Sequence, residues 1–239
     1  MNEQNNTYIR SEVEESQIAV YLAKVMGWMC VGLLTTFVAA LLCLTSGSVI
    51  RLLTSSRFVF NSVLIAQILV AVGMRAAVNK ITSTVATVLF MLYSALTGVA
   101  LSLLGAMFQS SSIVQVFLLT AAVFLAMATY GFVTKKDLTR MGRLAMAALI
   151  GVLLAGLINL FLRSSGFDLF VSCIAVLVFI GLTAYDTQAI KSIYLSARSA
   201  GHEDDSEVIR KIAIFGALTL YLDFINLFLR LLRILGKRR

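Results

Sequence analysis

Seven apolar runs, each close to twenty residues, divide this chain of 239 residues. A helix needs about 20 apolar residues to cross the hydrocarbon core of a bilayer. The runs are Val25–Thr45, Phe58–Met74, Val85–Met107, Ile113–Val133, Leu144–Leu162, Leu169–Ile190 and Ile212–Leu235. Only 13% of residues are charged and 59% are hydrophobic, whereas a soluble domain carries about 25% charged residues. The reading is all-α: a polytopic membrane protein built as a seven-transmembrane-helix bundle over residues 22–239, preceded by a disordered polar tail, 1–21. That tail is acidic (Glu3, Glu12, Glu14, Glu15), unlike the basic start of a cleaved signal peptide.

Proline is absent. Any bend must therefore come from glycine, Ser/Thr or inserted water, which argues against a transporter of broken helices. The net charge of +8 reflects basic loops rather than a nucleic-acid footprint, and no nucleic-acid partner is expected. Cys30, Cys43 and Cys173 lie in apolar runs and read as small buried hydrophobes, with no disulfide or metal framework. No resident cofactor is expected.

Basic residues set the orientation. Arg10, Lys24, Arg75, Lys80, Lys135, Lys136, Arg140, Arg143, Lys191, Arg198, Arg210 and Lys211 fall on one side, against Arg51, Arg57 and Arg163 on the other. This places the N-terminus in the cytoplasm. Arg230, Arg233, Lys237, Arg238 and Arg239 oppose it, so the last run either crosses fully or re-enters. Small residues mark close helix approach. Two such seams are expected, one at Ser94, Gly98, Ser102 and Ala106, the other at Gly151, Ala155 and Asn159.

Two acids sit inside these runs. Asp186 follows the apolar stretch Leu169–Tyr185, and Asp223 lies deep within Ile212–Leu235. A carboxylate at helix centre costs about 2.5–3.5 kcal/mol on insertion scales and marks an ion or proton path, or a polar lock between helices. Thr219, Asp223, Asn226, Arg230 and Arg233 step by fours and threes, so they share one helix face. A polar stripe on an apolar helix faces the bundle interior or water. Arg230 and Arg233 are near enough to the end to snorkel to headgroups; Asp223 is not. Taking Lys191 as the interface puts Asp186 about 7 Å deep, and Lys211 puts Asp223 about 18 Å deep. That offset of roughly 10 Å argues against a tight pair unless tilt or a break at Gly216 closes it. Arg75, ending the second run, is placed to pair with Asp186.

The segments Gly181–Gln188 (GLTAYDTQ) and Ala217–Arg233 (ALTLYLDFINLFLRLLR), with Phe90–Gly98 (FMLYSALTG), resemble the Bax-inhibitor family, and its bacterial branch in particular, from about Tyr21 onward. The resemblance implies a pH-sensitive calcium leak in a bacterial inner membrane. In it the positions of Asp186 and Asp223 form a gating pair, which would also be the transient calcium contact, and Arg75 matches an arginine that engages the pair. Two carboxylates brought close cannot both ionise cheaply, so they share a proton and titrate as a unit. Losing that proton drives them apart and exposes oxygen ligands suited to a hard cation.

Enzymatic readings fail on inventory. A seven-helix zinc hydrolase needs clustered His and Asp ligands, and the chain has one histidine, His202. No lysine lies within an apolar run, as a retinal protein would require. The competing reading is a regulator of a membrane-bound protease, matching the role implied by a bacterial relative, with Met1–Ser16 as the handle. A proton-coupled transporter using the same aspartates is the third.

Overall fold

The computed structural model describes residues 2–78, 80–202 and 206–239, with backbone alone for 2–14 and 57. Eight helices follow one another: α1 (Asn2–Thr45), α2 (Gly47–Ser55), α3 (Arg57–Ala76), α4 (Ser83–Met107), α5 (Ser110–Val133), α6 (Thr139–Leu162), α7 (Ser165–Ser199) and α8 (Ser206–Leu235). Seven of them are long and apolar enough to cross a membrane; the exception is α2. Each apolar run predicted from the sequence lies on one of these seven. Helices are the expected solution, since lipid offers backbone groups no hydrogen-bonding partner.

Among the described residues no strand forms. A single bridge pairs Phe108 with Arg238, and Lys237 and Arg239 exchange backbone hydrogen bonds with Gln109 and Met107, both 3.0 Å. The last three residues are thus pinned to the α4–α5 connection. α8 is one unbroken helix to Leu235, with no break at which the last run turns back, and its ends lie at opposite ends of the bundle.

α8 is the hub. It packs on α1, α4, α5 and α7, while α3 meets chiefly α2 and α4, and α6 meets α7. In its most apolar window 67% of α8 is buried, against 6% for α3. Tyr221, fully buried, meets the rings of Phe90 and Tyr93 edge-on at 5.6 and 5.9 Å. Phe224 stands edge-on to Phe117 and Phe124 at 5.3 and 5.5 Å. The Tyr221 hydroxyl lies 2.6 Å from Thr36 Oγ1, which is placed to donate to the Ser94 carbonyl at 2.9 Å. The hydroxyls are thereby satisfied where water is absent.

Without a hydrophobic drive between helices in lipid, close packing decides which faces meet. Gly98 is such a point: a Cβ there would stand 2.3 Å from the Thr36 carbonyl oxygen. The predicted seam on α4 is therefore real at Ser94, Gly98 and Ser102, all buried, though Ala106 is exposed. The predicted seam on α6 is not. Gly151 is exposed with nothing within 4 Å of a Cβ, and Asn159 instead accepts from the Ser164 amide in the α6–α7 turn. The buried face of α6 runs through Gly142, Ala145 and Val152. Small residues on a lipid-facing surface give the same spacing as a seam, so the pattern alone does not separate the two.

Two further expectations need correction. The stretch read as a disordered tail to residue 21 continues α1, and Ile18 and Tyr21 are buried. The Tyr21 ring stacks on Tyr194 at 4.0 Å, and Gln17 accepts a hydrogen bond from Arg198. The apolar spacing of Ile18, Tyr21, Leu22 and Val25 carries the helical face outward from the first run. The side chains of 2–14, most of the proposed handle, lie outside the described residues, as do Glu203, Asp204 and Asp205 between α7 and α8. Cys43 is buried, but Cys30 and Cys173 are exposed on helix surfaces.

Gly131 gives the sharpest test of this packing, because a Cβ there would fall 2.1 Å from the Ala184 carbonyl oxygen. Gly131→Val is expected to lower stability by at least about 1–3 kcal/mol. Gly151→Ala is expected to be neutral or to stabilise by up to about 1 kcal/mol. Thermal unfolding of the two variants in detergent checks both.

Candidate functional site

α7 and α8 form an antiparallel pair joined by a short turn, and each carries one buried-run acid. Asp223 is 5% exposed and Asp186 is half-buried beside it. Their carboxyl groups come within hydrogen-bonding reach of each other. Asp223 Oδ2 has no hydrogen-bond partner among the described residues. Two carboxyl groups this close can share one proton between them.

The depth argument from sequence is thus overturned. It took Lys191 as the membrane edge, but α7 continues to Ser199. Lys191 is only half-exposed: its Nζ donates to the Phe132 carbonyl at 3.3 Å and lies 5.2 Å from the centre of the Phe132 ring. Measured from the α7–α8 turn, Asp186 is about 20 Å along its helix and Asp223 about 26 Å along the other. No break at Gly216 is needed; that glycine serves close approach, a Cβ there lying 3.3 Å from the side chain of Ile190.

Around Asp186, three helices close on α7. Gly131 of α5 meets Ala184, Gly142 of α6 faces the Tyr185 ring, and Gly216 of α8 meets Ile190. Gln188 fixes the α5–α6 connection, accepting from the Leu138 amide and donating to the Lys136 carbonyl, both at 2.9 Å. The acid-bearing stretch is therefore held from several sides by groups the sequence does not single out.

Arg75 is exposed at the end of α3, and no ion pair within 4.0 Å joins it to Asp186. It acts on both acids only through space. A direct ion pair is absent because α3 lies at the periphery, packed chiefly on α2 and α4. Nor does the polar stripe behave as one unit. Thr219 and Asn226, both half-buried, return their hydrogen bonds to the carbonyls of Phe215 and Leu222 on their own helix. Arg233 pairs with Asp168 at the start of α7, 2.6 Å apart, with Arg230 half-buried close by. Asp168 had no signal in the sequence, since it lies at the edge of a run where an acid is unremarked. It joins the far ends of α7 and α8.

A cavity of about 450 Å³ runs in from the turn end between α7, α8 and the α3–α4 connection. Val78, Ile193, Lys211, Phe215 and Thr219 line it, with Ile190 and Gly216. Ile190 and Thr219 are each four residues from an aspartate, one helical turn or about 6 Å. The mouth is anchored: Lys211 Nζ donates to the Ile81 carbonyl at 3.2 Å, and Glu207 accepts from the amide and hydroxyl of Ser83 at 2.5 and 2.6 Å, capping α4. Among the described residues no group of three or more His, Cys, Asp or Glu is placed to hold a metal. Calcium takes 6–8 oxygens, so a pair of carboxyls could touch such an ion in passage but not cage it.

Like charges in a dry site cost stability. Asp223→Asn, which keeps the shape and supplies a donor to Asp186, is therefore expected to raise the melting temperature by about 2–4 °C. Differential scanning fluorimetry in detergent checks this; a lower melting temperature would mean the charged pair is itself a structural support.

Residues 18–239 match the family model described as "Inhibitor of apoptosis-promoting Bax1". The chain is 45% identical over 222 residues to the inner membrane protein YbhL of Escherichia coli strain K12, covering 93% of each chain. It is 43% identical over 219 residues to an uncharacterized protein of Borreliella burgdorferi, covering 92% of each. An uncharacterized membrane protein of Streptococcus pyogenes serotype M1 is 36% identical over 231 residues, covering 96% of each. With the family model spanning all seven apolar helices and both aspartates, this chain belongs to the Bax-inhibitor family of membrane proteins.

Proposed function

We propose that this protein is a pH-sensitive calcium leak of a bacterial inner membrane, gated by Asp186 and Asp223, with its N-terminus in the cytoplasm. The observation that carries the reading is the facing of two buried-run carboxyls, one helical turn beyond the lining of a cavity that opens at the α7–α8 end. The inner-membrane placement rests on the name of the Escherichia coli relative and the orientation on the loop charges.

The mechanism follows from the pair. With a proton between them, the carboxyls hold α7 to α8, and Ile190 stays packed on Gly216 across the inner end of the cavity. Loss of the proton leaves like charges at close range with little solvent to screen them. Repulsion separates α7 from α8, withdraws Ile190 and presents carboxylate oxygens to a partly hydrated cation. Arg75, exposed and within electrostatic reach, is placed to steady the separated carboxylates. Flux therefore rises with pH, because the closed form is the one that holds the proton.

Calcium entry into liposomes bearing the purified protein, measured from pH 6 to 8, tests this. The native chain is expected to pass more calcium at the upper end. Asp186→Asn with Asp223→Asn is expected to abolish the pH dependence, and Ile190→Ala to raise flux throughout while leaving the dependence in place. Absence of flux at every pH would sink the proposal and favour the reading as a regulator of a membrane protease. Deleting Met1–Ser16 would then remove the protease effect.

A further inference from the structure

A second cavity, of about 550 Å³, lies on the flank of the bundle at the end away from the α7–α8 turn. α1, α4, α5 and α8 all contribute to it, and its surface is almost wholly apolar. Phe224 and Phe228 of α8 lie on its inner side, both buried, while Phe37, Leu41 and Val114 at its edge are 62%, 48% and 57% exposed. It thus opens sideways, toward lipid. Gly105 lets Leu44 of α1 pack against α4 at its edge, since a Cβ there would stand 2.6 Å from the Leu44 side chain.

The outer end of this groove is basic. Arg239 lines it, with one guanidinium nitrogen 3.2 Å from Ser110 Oγ and no acidic partner among the described residues. Lys237 and Arg238 are its exposed neighbours. Backbone bonds hold all three in place: Phe108 bridges Arg238, Gln109 donates to the Lys237 carbonyl, and the Lys237 amide donates to Ser112 Oγ at 3.0 Å. No Asp or Glu side chain lines the groove. Asp168, at the same end, is occupied by Arg233.

From this juxtaposition of a lipid-facing apolar groove and a pinned basic tail, we infer that the protein holds one anionic phospholipid, with an acyl chain in the groove and its phosphate on Arg239 and Arg238. The chemistry fits both halves. The groove has the volume of a small-molecule pocket, about 300–1,000 Å³, and its open side lets a chain enter without leaving the bilayer. Guanidinium groups bind phosphate through paired charge-assisted hydrogen bonds, and basic clusters beside transmembrane helices hold anionic headgroups. A lipid bound here would touch α1, α5 and α8 at once and brace the end of α8 remote from the aspartates. The assignment stands apart from the calcium reading, since it uses neither acid.

Native mass spectrometry of the full chain in detergent, titrated separately with dioleoylphosphatidylglycerol and dioleoylphosphatidylcholine, tests it. The native chain is expected to retain one phosphatidylglycerol at concentrations about tenfold lower than phosphatidylcholine. The double variant Arg238→Ala, Arg239→Ala keeps the backbone bonds of the tail and is expected to bind the two lipids equally. Val114→Trp, which fills the groove mouth, is expected to weaken both while the melting temperature holds. Equal binding by the native chain, a preserved preference in the double variant, or unchanged binding in Val114→Trp would each overturn the inference.

Discussion

Close approach at a handful of glycines holds the functional half of this bundle together. Lipid tails are as apolar as leucine, so helices in a bilayer gain little from hiding apolar surface and must rely on intimate van der Waals contact. Here that contact converges on one stretch of α7. Gly131, Gly142 and Gly216, from three different helices, meet Ala184, Tyr185 and Ile190, bracketing Asp186. The segment of α7 that carries Asp186 is thus packed closely by three neighbouring helices, beside Asp223.

The same arrangement accounts for an apparent contradiction in α8. A helix buried nearly all round in a membrane protein is ordinarily uniform in polarity, yet this one carries Asp223 and Asn226 in its middle and two arginines toward its end. Each is handled differently. Asn226 bonds to its own helix, Arg233 bonds to Asp168, and Asp223 alone is left with an unpartnered oxygen. The unsatisfied group is also the one that faces another carboxyl. Polar groups serving only to join helices end up fully paired, because unpaired ones are costly in a dry interior.

The two ends of the bundle differ in character. At the α7–α8 turn, Glu207 and Lys211 bind the start of α4 and the connection before it, framing a cavity that stops one helical turn short of the acids. At the other end, the chain terminus is stitched by backbone bonds to the α4–α5 connection, beside a greasy groove open to the side. One end frames a cavity near the acids, and the other sets an apolar groove beside a basic rim.

The class of fold and the identity of the two acids were legible in the sequence for a simple reason. Run length against bilayer thickness, and the cost of a carboxylate within a run, are local quantities that need no knowledge of neighbours. α2 and the helical residues 15–21 were missed because neither is long or apolar enough to register as a run. What only the tertiary structure decided is contact. Depth measured from Lys191 kept the aspartates apart, whereas α7 runs on to Ser199 and brings them together. Arg75 appeared beside Asp186 in a linear account of depth, yet α3 packs on the outside of the bundle. Gly98 and Gly151 look alike in sequence, but one is pressed against α1 and the other lies open on the surface. Which helix faces which depends on the packing of surfaces far apart in the chain, and no periodicity along one helix carries that information.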